Sequence, residues 1–126
     1  MKDHLRIGIV GTGNRGIHCF GHHFDRRDDC TLAALCDTNP VRMKLMAEKL
    51  DANPAQYTVL AEMLETEQLD AIVVTTPDCY HAEVVLEALE AGVDCLVDKP
   101  LATTVVDAKR VIDTAERTGK MVLMGF

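Results

Sequence analysis

The chain has 126 residues, 48% of them hydrophobic, and its 13 basic and 20 acidic side chains leave a formal net charge of −7. A chain of this length buries roughly two thirds of its unfolded surface, enough for one compact domain and too little for two. The acidic balance excludes the basic face needed for broad binding to nucleic acid or an anionic membrane, and no apolar run is long enough to span a bilayer. A small anionic ligand remains compatible with it, because backbone amides and a helix N-terminus hold an anion locally.

The elements follow one another in short, regular units. Met1-Lys2-Asp3-His4 leads directly into a strand-like segment without a signal region, cleavage site or twin arginine, so the expected location is cytoplasmic. Leu5 to Val10 is a run rich in β-branched residues, the first strand. It ends on Gly11-Thr12-Gly13-Asn14-Arg15-Gly16, and Ile17, Phe20, Gly21 and Phe24 then recur at i, i+3, i+4 and i+7, which predicts an amphipathic helix. Thr31 to Cys36 is the second strand and finishes at Asp37. Asn39-Pro40 is an N-cap with proline at the first helical position, and Met43, Met46, Ala47 and Leu50 repeat the helical stripe. Gln56 to Val59 is a short edge strand, followed by a short helix with Leu60, Met63 and Leu64.

Ala71 to Thr75 is a buried strand, and Pro77-Asp78 opens a helix that ends at Gly92. Val93 to Val97 is the fifth strand. Thr104 with Asp107 forms a capping pair before a helix with Ala108, Val111, Ile112 and Ala115 on one face. Gly119 closes that helix, and Lys120 to Gly125 is the sixth strand. Strands alternating with helices predict βαβ units, a parallel sheet and right-handed crossovers. The fold class is α/β, a doubly wound Rossmann sheet of order 3-2-1-4-5-6 spanning residues 1–126.

The five cysteines, Cys19, Cys30, Cys36, Cys79 and Cys95, are odd in number and lack C-x-x-C spacing, which points to reduced thiols rather than disulfides or zinc. His18 and His22 stand four apart on the first helix without a third ligand at suitable spacing, so no metal is expected.

G-x-G-x-x-G is weak alone, but here it follows a strand and opens a helix. In that setting Gly11 permits the tight turn, Gly13 lets a pyrophosphate approach the backbone, and Gly16 lets helix and strand pack closely. The helix N-terminus adds unpaired N–H groups for the phosphates. Asp37 lies 21 residues beyond Gly16 at the end of the second strand, where a carboxylate accepts hydrogen bonds from an adenosine ribose and repels a 2′-phosphate. That favours NAD over NADP, with nearby Arg42 weakening the preference. The alternative for Asp37 is a purely local role in capping the Asn39 helix.

Three segments resemble the Gfo/Idh/MocA oxidoreductases, the family of glucose–fructose oxidoreductase and inositol dehydrogenase. They are Gly11 to Gly16 with Asp37, Thr76-Pro77-Asp78-Cys79-Tyr80-His81 (similar to the family's T-P-N-x-x-H), and Asp98-Lys99-Pro100 (similar to its E-K-P). Asp78 departs from Asn and Asp98 from Glu. The resemblance implies that Thr12, Asn14, Arg15, Thr76, Pro77, His81, Asp98 and Lys99 join the glycines and Asp37 around the cofactor, with Lys99 near the substrate hydroxyl as the catalytic residue. For Lys99 the alternative is a solvated lysine before a proline turn, and for His81 a packing or capping role.

The implied function is the cofactor domain of an NAD-dependent oxidoreductase that transfers hydride from a sugar, inositol or related polyol. A variant within the family is a glycosidase that oxidises its sugar transiently with bound NAD. A different class is a non-catalytic dinucleotide sensor or interaction module, which the chain length favours and Lys99 with the T-P-x-x-x-H segment disfavours. Family members continue into a second α/β domain that supplies most of the substrate pocket and the oligomer interface. On that resemblance the parent is a homo-oligomer through the missing domain. The present chain alone then binds cofactor without turning over.

Overall fold

Both faces of a parallel sheet are covered by helices, so its strands read as nearly continuous apolar runs. The structure, a computed structural model, describes residues 2–125. Strands β1 (Leu5–Val10), β2 (Cys30–Cys36), β3 (Ala55–Tyr57), β4 (Ala71–Val74), β5 (Asp94–Asp98) and β6 (Val122–Gly125) pair in parallel in the order 3-2-1-4-5-6, as the alternation of elements predicts. Helices α2 (Pro40–Ala47), α3 (Leu60–Thr66), α4 (His81–Glu90) and α5 (Val105–Thr118) fill the connections, and a π-wound segment, Arg15–Gly21, runs into the short α1 (His22–Phe24) after β1.

Side-chain alternation divides the core into two layers. Ile72 and Val74 of β4 face one layer with Met63, Leu64, Val85, Ala88, Leu89 and Val111, while Val73 faces the other with Ile17, Met43 and Met46. On β2 the alternation is interrupted. Ile7 pairs with Leu32 but Gly8 with Ala34, so Ala33 is an extra residue, and Leu32 and Leu35 face the same layer although three apart.

Several boundaries differ from the sequence reading for local reasons. β3 ends at Tyr57, because Val59 already serves as the extended N-cap of α3. Pro77-Asp78 opens a 3₁₀ turn, Asp78–Tyr80, in which the Tyr80 amide donates to the Pro77 carbonyl at 2.9 Å, and α4 proper starts at His81. Ile112, expected inward, is 50% exposed, whereas α5 buries Val111 and Thr114. Ile112 instead borders an open hollow with Leu101 and with Val122 and Met124 of β6. Both predicted caps form: Asn39 Oδ1 accepts from the Arg42 amide at 3.0 Å, and Thr104 Oγ1 accepts from the Asp107 amide at 3.1 Å. Among the described residues no helix is long and apolar enough to cross a membrane.

Candidate functional site

All six strands point the same way, so their C-terminal ends share one edge of the sheet. The chain leaves β1 toward β2 and β3, then returns to β4 on the other side. A crevice therefore opens above β1, where ligands collect in sheets of this kind.

The glycine turn occupies that crevice. Gly11 has φ +94°, and a Cβ there would stand 2.6 Å from the Thr75 carbonyl carbon, so only glycine fits the turn. A Cβ on Gly16 would collide with the Gly11 carbonyl oxygen and stand 2.7 Å from Thr75 Oγ1, which itself donates to that carbonyl at 2.8 Å. Around Gly13 a Cβ would meet nothing within 4 Å. The first two glycine contacts close helix and strand together, and the third position leaves room for a group to approach the backbone.

The helix after the turn is wider than its apolar spacing predicts. The His22 amide bonds to the Ile17 carbonyl, five residues back, which is the π pattern. Gly16, Ile17 and Gly21 are buried, and Phe20 and Phe24 stack half-buried with ring centroids 6.5 Å apart.

Asp37 is buried beside this turn, its side chain 2% exposed. Oδ2 accepts from the Thr12 amide at 2.8 Å, Thr12 Oγ1 at 2.7 Å and Arg42 Nε at 3.0 Å. Oδ1 accepts from the Asn39 amide at 2.8 Å and Arg42 Nη2 at 2.6 Å. Burial opposes the charge, but the donors from Arg42, Asn39 and Thr12 outweigh it and hold the carboxyl at about 2. Thr12 is wholly buried with both donors on Asp37, so it acts through that carboxylate. The local role foreseen for Asp37 is visible in its bond from the Asn39 amide at the start of α2.

The ends of β4 and β5 form the other half of the crevice. Thr76 Oγ1 is, among the described residues, the one buried side-chain oxygen without a hydrogen-bond partner. Asp98 receives a bidentate pair from Arg15, Nε at 2.9 Å and Nη2 at 3.1 Å, which ties the glycine turn to the end of β5. Asn14 and Lys99 are exposed, and Lys99 precedes Pro100 through a cis peptide bond.

His81 is turned into the fold. It is 1% exposed, with Nδ1 2.6 Å from the Pro100 carbonyl oxygen and Nε2 2.9 Å from that of Thr76. The turn Asp78–Tyr80 carries the ring inward, where it braces the Thr76-Pro77 and Lys99-Pro100 turns instead of facing the crevice.

A cavity of about 420 Å³ joins these pieces, lined among others by Gly11, Asp37, Arg42, Thr76, Pro77 and Tyr80. The space around Gly13 and the orphaned Thr76 hydroxyl fit a bound dinucleotide. A hollow of about 510 Å³ between α4 and α5 shares Glu83 and Glu87 with that cavity and adds Glu90, Asp113 and Arg110. Among the described residues no group of three or more His, Cys, Asp or Glu is placed to hold a metal ion, and the His18 and His22 rings lie 5.5 Å apart.

The model of the GFO_IDH_MocA oxidoreductase family, with its NAD-binding Rossmann fold, matches residues 5–126. The chain belongs to the Gfo/Idh/MocA oxidoreductase family. It is 32% identical over 130 residues to a glycosyl hydrolase family 109 protein of Shewanella sp. (strain ANA-3), covering 97% of this chain and 28% of that protein. It is also 32% identical over 122 residues to the D-glucoside 3-dehydrogenase of Escherichia coli (strain K12), covering 97% of this chain and 34% of that protein. The crystal structure of the WlbA dehydrogenase from Bordetella pertussis, in complex with NADH and UDP-GlcNAcA, superposes with a TM-score of 0.89 at 27% identity. That match covers 97% of this chain and 37% of the dehydrogenase. The chain therefore spans about a third of the length of these relatives.

Proposed function

We propose that this chain is the cofactor domain of an NAD-dependent oxidoreductase that moves hydride between the nicotinamide and a sugar, inositol or related polyol. The observation that carries it is the crevice itself, in which the glycine turn, Asp37, Thr76 and Lys99 gather at one edge of the sheet. Amides of Gly13 to Gly16 hold the pyrophosphate, since those of Gly11 and Thr12 already donate within the fold; Asp37 serves the adenosine ribose, and Thr76 and Pro77 line the path between them. Asp98 holds Arg15, and Lys99 follows it at the rim. NAD, when bound, supplies the hydride acceptor.

Lys99 donates a hydrogen bond to the reacting hydroxyl and takes part in moving its proton, as a positioned ammonium group does in general acid–base catalysis. His81 acts through the two carbonyls it braces, holding Thr76 and Lys99 in mutual register. Substrate contacts and oligomerisation belong to the rest of the parent protein, which we infer is a homo-oligomer.

The likeness to family 109 glycosyl hydrolases supports a second reading, in which bound NAD oxidises and re-reduces a sugar within one turnover. The full-length parent separates the two when incubated with sugars and inositols. Added NAD reduced in step with substrate supports the dehydrogenase, and glycoside cleavage without net reduction supports the glycosidase. Lys99→Ala is expected to lower kcat in either case, and an unchanged kcat removes Lys99 from the chemistry.

A further inference from the structure

Building on the dinucleotide reading above, we infer that Arg42 sets cofactor choice and that this site accepts NADP(H) as well as NAD(H). The two oxygens of a carboxylate offer about four lone-pair sites, and five donors already point at those of Asp37. Three of the five come from Thr12 and Asn39 and belong to the fold. The two from Arg42 come from a side chain that is 49% exposed and, among the described residues, hydrogen-bonds only to Asp37. A ribose hydroxyl gains an acceptor on Asp37 only where Arg42 turns aside.

While Arg42 stays in place, the carboxylate charge is neutralised and its repulsion of a 2′-phosphate is removed. Among the described residues nothing accepts a hydrogen bond from Arg42 Nη1, and both Asp37 and Arg42 line the cavity with Thr38. A guanidinium with an open edge binds a phosphate through paired, charge-assisted hydrogen bonds. The same side chain thus serves both cofactors. Turned aside it leaves Asp37 to the NAD ribose, and in place it holds the phosphate of NADP.

The test is titration of the purified chain with NADH and NADPH, followed by the fluorescence of the nicotinamide, since the protein has no Trp. The two dissociation constants are expected within about tenfold of each other. Arg42→Ala removes the attraction and uncovers the repulsion, so it should weaken NADPH relative to NADH by more than about tenfold. The double change Arg42→Ala with Asp37→Asn should recover part of that loss. If Arg42→Ala fails to fold, Arg42→Gln keeps an amide donor over Asp37 and is expected to move the ratio in the same direction. A wild-type chain that binds NADH but prefers it by more than about a hundredfold overturns the inference alone, as does a ratio unmoved by either variant. A chain that binds neither nucleotide overturns the dinucleotide reading and this one with it.

Discussion

The two halves of the crevice differ in how far their hydrogen bonding is complete. Beside β1 and β2 every buried side-chain polar atom among the described residues has a partner, and Asp37 has five. Above β4 and β5 the Thr76 hydroxyl has none and Lys99 stands exposed. A buried group left unpaired costs more than a formed bond contributes. The side chains of the first half are therefore satisfied within the fold, whereas the second keeps one hydroxyl unsatisfied.

Substitutions can break that contrast, beginning with the largest effect. Gly16→Val forces a side chain into the Gly11 carbonyl and Thr75, and should destabilise the chain by about 3 kcal/mol or more, or abolish folding, in thermal denaturation. Thr12→Val removes one hydroxyl donor from Asp37 in the completed half, and should cost about 1–3 kcal/mol in urea titration. Acid should act on the same residue. The carboxyl of Asp37 sits at about 2, below its usual value, so its contribution is full above about pH 4 and disappears as pH falls toward about 2. Asp37→Asn should flatten the stability profile over that window. Thr76→Val sharpens the contrast from the other side. Stability should stay the same or rise by up to about 1 kcal/mol, because the hydroxyl removed had no partner, while NADH binding weakens. A loss of stability like that of Thr12→Val would erase the distinction between the two halves.

The sequence made the first half legible and much of the second only by resemblance. Strand order followed from apolar runs and their spacing, because a doubly covered parallel sheet leaves few arrangements. Asp37 was readable because the distance from Gly16 to the end of β2 is set by one βαβ turn. Other features depend on partners far along the chain. Arg15 pairs with Asp98, 83 residues away, and no local pattern announces it. The inward turn of His81 depends on the carbonyl of Pro100, 19 residues on. The π winding of Arg15–Gly21 preserves an apolar spacing that α-helix explains equally well, so hydrophobic period alone cannot reveal it. Ile112 fits its stripe by period, yet it stays 50% exposed at a hollow it shares with Val122 and Met124, a placement set by residues of a later strand.

The most direct measurement is a map of backbone amide NMR shifts as NADH is added to the isotopically labelled chain. Shifts clustered on Gly11 to Gly16, Asp37, Arg42 and Thr76, saturating with NADH, are the expected result. A chain whose amides do not move, or whose shifts gather in the acidic hollow between α4 and α5, would contradict a dinucleotide site at the strand ends.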